Sequence, residues 1–251
     1  MKVFIASDIH LEFGQFSIQH LSETFRREFP DADTLILAGD VGNVFRNRPL
    51  YETFLKTCNE RYSATILITG NHEYYGCNYD RKSVDLEITK IVSQYEKVYF
   101  LNNETKVING VEFIGTTLWS LIDKISYSQI NDGANSVFRN QIEYVEEFVR
   151  DYQFLKGALA KKAEYPRVVV THHLPTSRLI HRRFRDREIN SAFYTHIIYN
   201  VEMHNVKLLA CGHTHEFQTA KYMDATLVVN PIGYPSEIRE TKFSTATYEI
   251  L

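Results

Sequence analysis

Short runs of apolar residues, each closed by a polar or glycine-containing turn, recur along the chain. Those at 3–7, 34–38, 65–69, 167–171 and 207–210 are four or five residues long and rich in aliphatic side chains. Such runs read as buried strands. Each ends in a polar cluster: Asp8-Ile9-His10, Gly39-Asp40, Gly70-Asn71-His72-Glu73, His172-His173 and Gly212-His213-Thr214-His215. Open α/β sheets carry ligands at the carboxyl ends of their strands, so five strands can deliver five clusters to one edge.

A different period separates the strands. Ile142, Val145, Phe148, Val149, Tyr152, Leu155 and Leu159 recur at three- and four-residue steps, which predicts an amphipathic helix over 141–161. Weaker helical patterns cover 51–58 and 84–95. Asn109-Gly110, between apolar runs at 105–108 and 111–115, is a two-residue hairpin signal. A second hairpin is expected at Met223-Asp224 with 226–229 as its return strand, and 243–250 alternates like an edge strand. The early part reads as βαβ and the later part as hairpins, which predicts two packed sheets flanked by helices. There is no internal repeat or evident linker, so a single domain over 1–251 is expected.

Composition narrows the setting. Of 251 residues, 44% are apolar, enough for a sizeable core, and 24% are charged, an ordinary globular value. The net charge of -3 gives no overall positive field for long nucleic acid. Cys58, Cys77 and Cys211 lack CxxC spacing and read as free thiols in a reducing compartment. The N-terminal apolar run is too short for a signal peptide, and no run reaches the roughly 18 apolar residues of a membrane helix. A cytoplasmic protein with no membrane partner is expected; the oligomeric state is left open.

Taken singly, most of the clusters are ordinary turn chemistry: an Asp after a strand caps turns, and Gly-Asp is a common turn pair. Two histidines two residues apart are less ordinary, because an unpaired His is costly to bury. All five following strands at once points to a metal site. The donors are nitrogen and oxygen with no thiolate. They suit Mn²⁺ first, or Fe, Zn²⁺, Co²⁺ and Ni²⁺, better than Mg²⁺ or Ca²⁺.

The ordered set Asp-x-His, Gly-Asp, Gly-Asn-His-Glu, His, Gly-His-x-His resembles the calcineurin-like metallophosphoesterase superfamily, and the matched motifs run from Asp8 to His215. The resemblance implies a four-layer α/β/β/α sandwich with a dinuclear metal centre. It implies that Asp8, His10 and His215 hold one ion, that Asn71, His172 and His213 hold the other, and that Asp40 bridges them. A shared carboxylate can span the roughly 3.5–4 Å between two such ions, whose joint field makes a bridging hydroxide the expected nucleophile. Two divalent ions, two aspartates and one hydroxide leave a single positive charge, which favours an anionic phosphate ester. His72, displaced from coordination by Asn71, is the candidate acid that protonates the leaving oxygen; the resemblance assigns it the same role. Glu73 either orients His72 or caps the segment that follows, the cap being favoured.

Protein phosphatases of this superfamily carry an arginine after the Gly-Asp motif and another before Gly-Asn-His-Glu. Here Val41-Gly42-Asn43 and Thr69 stand in those places. The chain is instead similar to the compact bacterial and phage-type phosphoesterases. A phosphodiesterase acting on nucleotides or small diesters is expected. A phosphomonoesterase, a non-catalytic scaffold and a nuclease module that needs a partner chain and cuts oligonucleotides through the basic segment 178–187 are the alternatives. The segments 119–139 and 175–200 are expected to roof the site. Arg182 and Arg183 suit phosphate binding, a solvated face with internal ion pairs being the alternative; Trp119 and Phe184 are candidates for stacking on a base, with core packing the favoured role for Trp119. His173 reads as either an outer support of the site or a mere neighbour.

Overall fold

The structure is a computed structural model that describes residues 1–14, 17, 25, 27–76, 79–135, 137–237 and 243–250. It contains two β-sheets. The first has the order β11-β1-β2-β3-β4, built from β1 (Lys2–Ala6), β2 (Thr34–Ala38), β3 (Ala64–Ile68), β4 (Val98–Phe100) and β11 (Thr247–Glu249). All neighbours are parallel except β11, which runs antiparallel along β1 at the edge. The second has the order β5-β6-β7-β8-β10-β9, from β5 (Glu104–Ile108), β6 (Val111–Thr116), β7 (Arg167–Thr171), β8 (Val206–Cys211), β9 (Gln218–Tyr222) and β10 (Ala225–Val229). Its β6, β7, β8 and β10 are parallel, with antiparallel hairpin strands β5 and β9 outside them. The fold is α/β, two mixed sheets flanked by helices.

The two-residue alternation of the strands explains the layers. Val3 and Ile5, Ile36 and Ala38, and Ile66 and Ile68 face Phe113, Val168, Val170, Leu208 and Val228 in the core between the sheets. The intervening Phe4, Leu35, Leu37 and Leu67 belong to the outer core with the helices α1 (Arg48–Arg61) and α2 (Arg81–Val92). On the other side Ile114, Val169 and Leu209 join Tyr144, Phe148 and Leu155 of α3 (Gln141–Ala160). Both faces of the central strands are covered, so their sequences read as nearly continuous apolar runs.

Both hairpins form where expected, with Asn109 and Met223 at φ of 49° and 50°. The helix predicted over 141–161 ends at Ala160 and starts behind Asn140, whose side chain accepts from the Glu143 amide. The two weaker helices run longer or begin earlier than their apolar patterns, because Pro49 and the Asp80 cap set their starts. The 243–250 stretch pairs only at Thr247–Glu249. Cys58 and Cys211 are buried and free, whereas Cys77 lies outside the described residues. Among the described residues no helix is long and apolar enough to cross a membrane.

Arg167 at the start of β7 is fully buried. It donates to Glu112 Oε2 at 2.7 Å and to the carbonyls of Leu159 and Lys161 at 3.0 and 2.9 Å. One guanidinium thus ties β6 to the carboxyl end of α3, where helix carbonyls need donors. Replacing Arg167 with alanine strands a carboxylate and two carbonyls, and a loss of about 3–5 kcal/mol is expected in urea unfolding. A change under about 1 kcal/mol would contradict this account.

Candidate metal centre

The carboxyl ends of β1, β2, β3, β7 and β8 converge on one edge of the sandwich. The turns after β1 and β2 are joined by backbone hydrogen bonds, Asp8 N–H to Gly39 O at 3.1 Å and His10 N–H to Asp40 O at 3.0 Å. Asp8, His10, Asp40, His213 and His215 all have positive φ, between 37° and 72°. That left-handed backbone is costly for residues with a Cβ and collects at functional sites. Gly39 and Gly70 are required for close approach: a Cβ on the first would collide with the His172 ring, and one on the second with the Asp40 carboxylate.

Three groups of donors result among the described residues, with the atoms of each within 4.8 Å of one another: Asp8, His10, Asp40 and His215 form the first, Asp40, His172 and His213 the second, and His10, Glu12 and His72 a third beside them. Asp40 belongs to the first two. Asn71 completes the second, with Oδ1 at 3.2 Å from His172 Nε2. All seven residues proposed from the sequence therefore lie together at this edge.

The ring orientations test whether this set fits cations. His10 Nδ1 lies 3.2 Å from Glu12 Oε1, His172 Nδ1 lies 2.9 Å from Ala38 O, and His215 Nδ1 lies 2.7 Å from Glu237 Oε2. A carboxylate or carbonyl oxygen can only accept, so each Nδ1 carries the proton. Each Nε2 then turns inward, the arrangement that orients metal-binding histidines. His172 Nε2 sits 3.3 Å from Asp40 Oδ2, and His215 Nε2 sits 3.4 Å from Asp8 Oδ1. The residues fit a pair of divalent cations.

Charge coupling is strong. Burial would raise Asp8, but the hydrogen bond and charge of His215 bring it down to about 2. Burial would likewise raise Asp40, yet His172 and His72 hold it well below the usual range. Burial would lower His172 and His215; Asp40 raises the first to about 9, and Asp8 with Glu237 raises the second to about 10. His213 has the opposite balance, and burial together with the His172 charge lowers it to about 3.

His72 is held at both ring nitrogens. Its Nδ1 is 3.1 Å from Glu12 Oε1, the oxygen that also meets His10, and its Nε2 is 2.9 Å from the Tyr234 hydroxyl. Burial would raise Glu12, but hydrogen bonds from both histidines outweigh it and keep the carboxyl ionised. Glu12, Tyr234 and Glu237 were missed in the sequence. Only Glu12 left a signal, two residues beyond His10. Glu73 takes neither expected role. It is fully buried and accepts from the backbone amides of Gly70, Asp40, Val41 and Gly42 at 2.8, 3.2, 2.7 and 3.4 Å. His173 is buried and its ring lies 4.1 Å from that of His213.

A groove of about 580 Å³ leads away from the cluster past Asp40, Asn71, His213 and His215. The segments 119–139 and 175–200 both reach it, through Ile130 and Asp132 from the first and Ile180, Arg183 and Phe184 from the second. Arg183 lines this groove and pairs with Glu216; Arg182 is exposed and lines neither this groove nor its neighbour. Of the two roles weighed for Trp119, core packing is the one found, and its place in substrate binding is corrected. It is 3% exposed, its ring packed 4.7 Å from Phe138 and 5.2 Å from Tyr144, so it is closed to a substrate. The Cys211 thiol is buried and pushed up to about 12, which rules it out as a nucleophile near neutral pH.

The paired-sheet sandwich carries, at one edge, two histidine-rich donor groups that share Asp40. The sequence profile of the calcineurin-like phosphoesterase family matches residues 1–217, and the chain belongs to that family. An uncharacterised protein of Acanthamoeba polyphaga mimivirus is 25% identical over 260 residues, spanning 92% of this chain and 90% of its own. Among solved structures, the phosphopantetheinyl hydrolase of Mycobacterium tuberculosis superposes with a TM-score of 0.64 at 17% identity, covering 100% of this chain and 95% of that one. A dimetal phosphatase from Danio rerio gives 0.57 at 12% identity over 91% and 86%. At those identities the likeness carries the fold.

Because His172 and His215 are protonated near neutral pH without metal, and a coordinating nitrogen must be free, metal binding is expected to release protons from both. Titrating metal-free protein with Mn²⁺ in buffers of different ionisation enthalpy measures the release. It should fade as the starting pH rises through about 9 and then about 10. A release that does not depend on pH would refute the protonation pattern.

Proposed function

We propose that the chain, read as one domain over 1–251, is a metal-dependent phosphodiesterase acting on nucleotides or other small diesters in a reducing, cytoplasmic setting. Asp8, His10 and His215 would hold one divalent transition ion and Asn71, His172 and His213 the other, with Asp40 shared between them. Mn²⁺ suits this nitrogen and oxygen set best. When bound, such a pair supplies an activated water as nucleophile and neutralises charge on the phosphoryl oxygens.

The observation that carries the diester reading is a second groove. It has about 570 Å³, is lined by Phe13, Asn43, Arg46 and Ser236, and shares His72, Tyr75, Asn131 and Tyr234 with the first. Each volume suits a small-molecule arm. A diester has two arms and a monoester one, so two grooves meeting at His72 match a diester held across the cluster.

The residues then divide the work. Glu12 fixes the orientation of the His72 ring. His72, at the meeting of the grooves, delivers a proton to the departing oxygen. Tyr234 holds the other ring nitrogen until a substrate displaces it. Arg183 and Arg46, one in each groove, offer forked donors to anionic substituents.

Metal-reconstituted protein assayed on mono-, di- and cyclic phosphate esters tests the reading. Diesters should be the better substrates by kcat/KM; faster turnover of aryl monoesters would favour the monoesterase instead. Replacing His72 with alanine should lower kcat by about 10²-fold or more for an ester with a poor leaving group, and much less for a 4-nitrophenyl ester, at unchanged metal content. Equal losses on both esters would remove the acid role.

A further inference from the structure

Asp132 is not used by the chemistry above, yet it lies in the larger groove. It is 3% exposed, and its Oδ1 has no hydrogen-bond partner. It belongs to none of the donor groups that can hold a metal ion among the described residues. Tyr75, whose hydroxyl accepts from Asn71 Nδ2 at 2.7 Å, lines the same groove, so Asp132 and the candidate ligand Asn71 share it. A buried carboxylate oxygen without a donor is unfavourable and rare, and at a binding site the missing donor comes from a ligand.

The rest of the groove says what kind of donor. Ile130, Ile180, Phe184, Ile189 and Phe193 give it an apolar wall. Arg183, paired with Glu216, and Arg187, which has no ion-pair partner among the described residues, stand on the same groove. A hydroxyl is a neutral donor that can meet the free carboxylate oxygen beside an apolar wall. Resting on the phosphoester reading, we infer that Asp132 is a specificity-determining residue: its free oxygen accepts a hydrogen bond from a hydroxyl close to the ester oxygen of the arm in the larger groove, and the apolar wall receives the planar or apolar body beyond. A nucleoside, with ribose hydroxyls and a flat base, has this chemistry, and so does an acyclic hydroxyalkyl ester.

Binding to the Mn²⁺-loaded protein tests it by calorimetry with three probes: inorganic phosphate, adenosine 5′-monophosphate against its 2′,3′-dideoxy counterpart, and glycerol 3-phosphate against propyl phosphate. A hydrogen bond to a carboxylate should favour the hydroxylated member of at least one pair by about tenfold or more. Preference within the nucleotide pair identifies a nucleoside arm; preference within the glycerol pair alone identifies an acyclic one. Asp132→Ala should abolish the preference, and the equal-sized, uncharged Asp132→Asn should narrow it, with phosphate affinity unchanged in both. Phosphate bound without any preference overturns this inference alone. So does a variant that weakens hydroxylated ligand, deoxy ligand and phosphate alike, since that is the mark of a structural role. Failure of the wild type to bind phosphate overturns the phosphoester reading and this inference with it.

Discussion

Glu73 gathers four backbone amides, three from the turn that carries Asp40 and one from the turn that carries Asn71 and His72. That carboxyl sets the position of Asp40 relative to the other donors, together with the pairing of β2 with β3 and the Asn43 side chain, which donates to the Tyr75 carbonyl at 2.7 Å. The reverse link is the His72 amide, which donates to Asp40 Oδ1 at 2.8 Å. Burial and the neighbouring Asp40 raise Glu73 to about 8. The amides favour its charged form, so the group is balanced between a solvation cost and a ring of donors. A shared carboxylate between two donor groups has narrow geometric tolerance, and this buried clasp sets it.

The cost of the site is borne by the core. Five of its seven candidate ligands occupy left-handed backbone, each unfavourable by about 1–3 kcal/mol. Strand ends can hold such residues only if the strands behind them cannot shift. Val3, Ile5, Ile36, Ile66, Val168 and Leu208 are fully buried between the sheets and supply that rigidity. Fold and function meet in one boundary: four or five dry residues end abruptly in a strained turn, and the turn aims a donor.

That boundary is also why so much was legible in the sequence. An apolar run followed by Gly-Asp or Gly-His-Thr-His is a local pattern, and both its strand and its ligand are encoded within a few residues. The hairpins and α3 are local as well. What escaped notice depends on distant partners. His72 and Tyr234 are 162 residues apart, and Glu237 reaches His215 from a turn with no periodicity of its own. Glu73 looked like a cap because its neighbours in sequence suggest one, whereas three of its four donors lie more than thirty residues earlier. Trp119 followed a strand end, as the ligands do, but its neighbours there are aromatic, and apolar burial decided its place.

The distant carboxylates change the electrostatic argument. Counting only Asp8 and Asp40 against two divalent ions and a hydroxide leaves one positive charge to attract a phosphate. Glu12 and Glu237 add two negative charges in hydrogen-bond contact with His10 and His215, and both are held in the ionised form. The cluster is then no longer cationic when loaded, and attraction of an anionic ester passes to the groove walls. Arg46 in the smaller groove and Arg183 with Arg187 in the larger one are placed for this. An ester held by its arms rather than by the net charge of the centre is selected by what those arms carry.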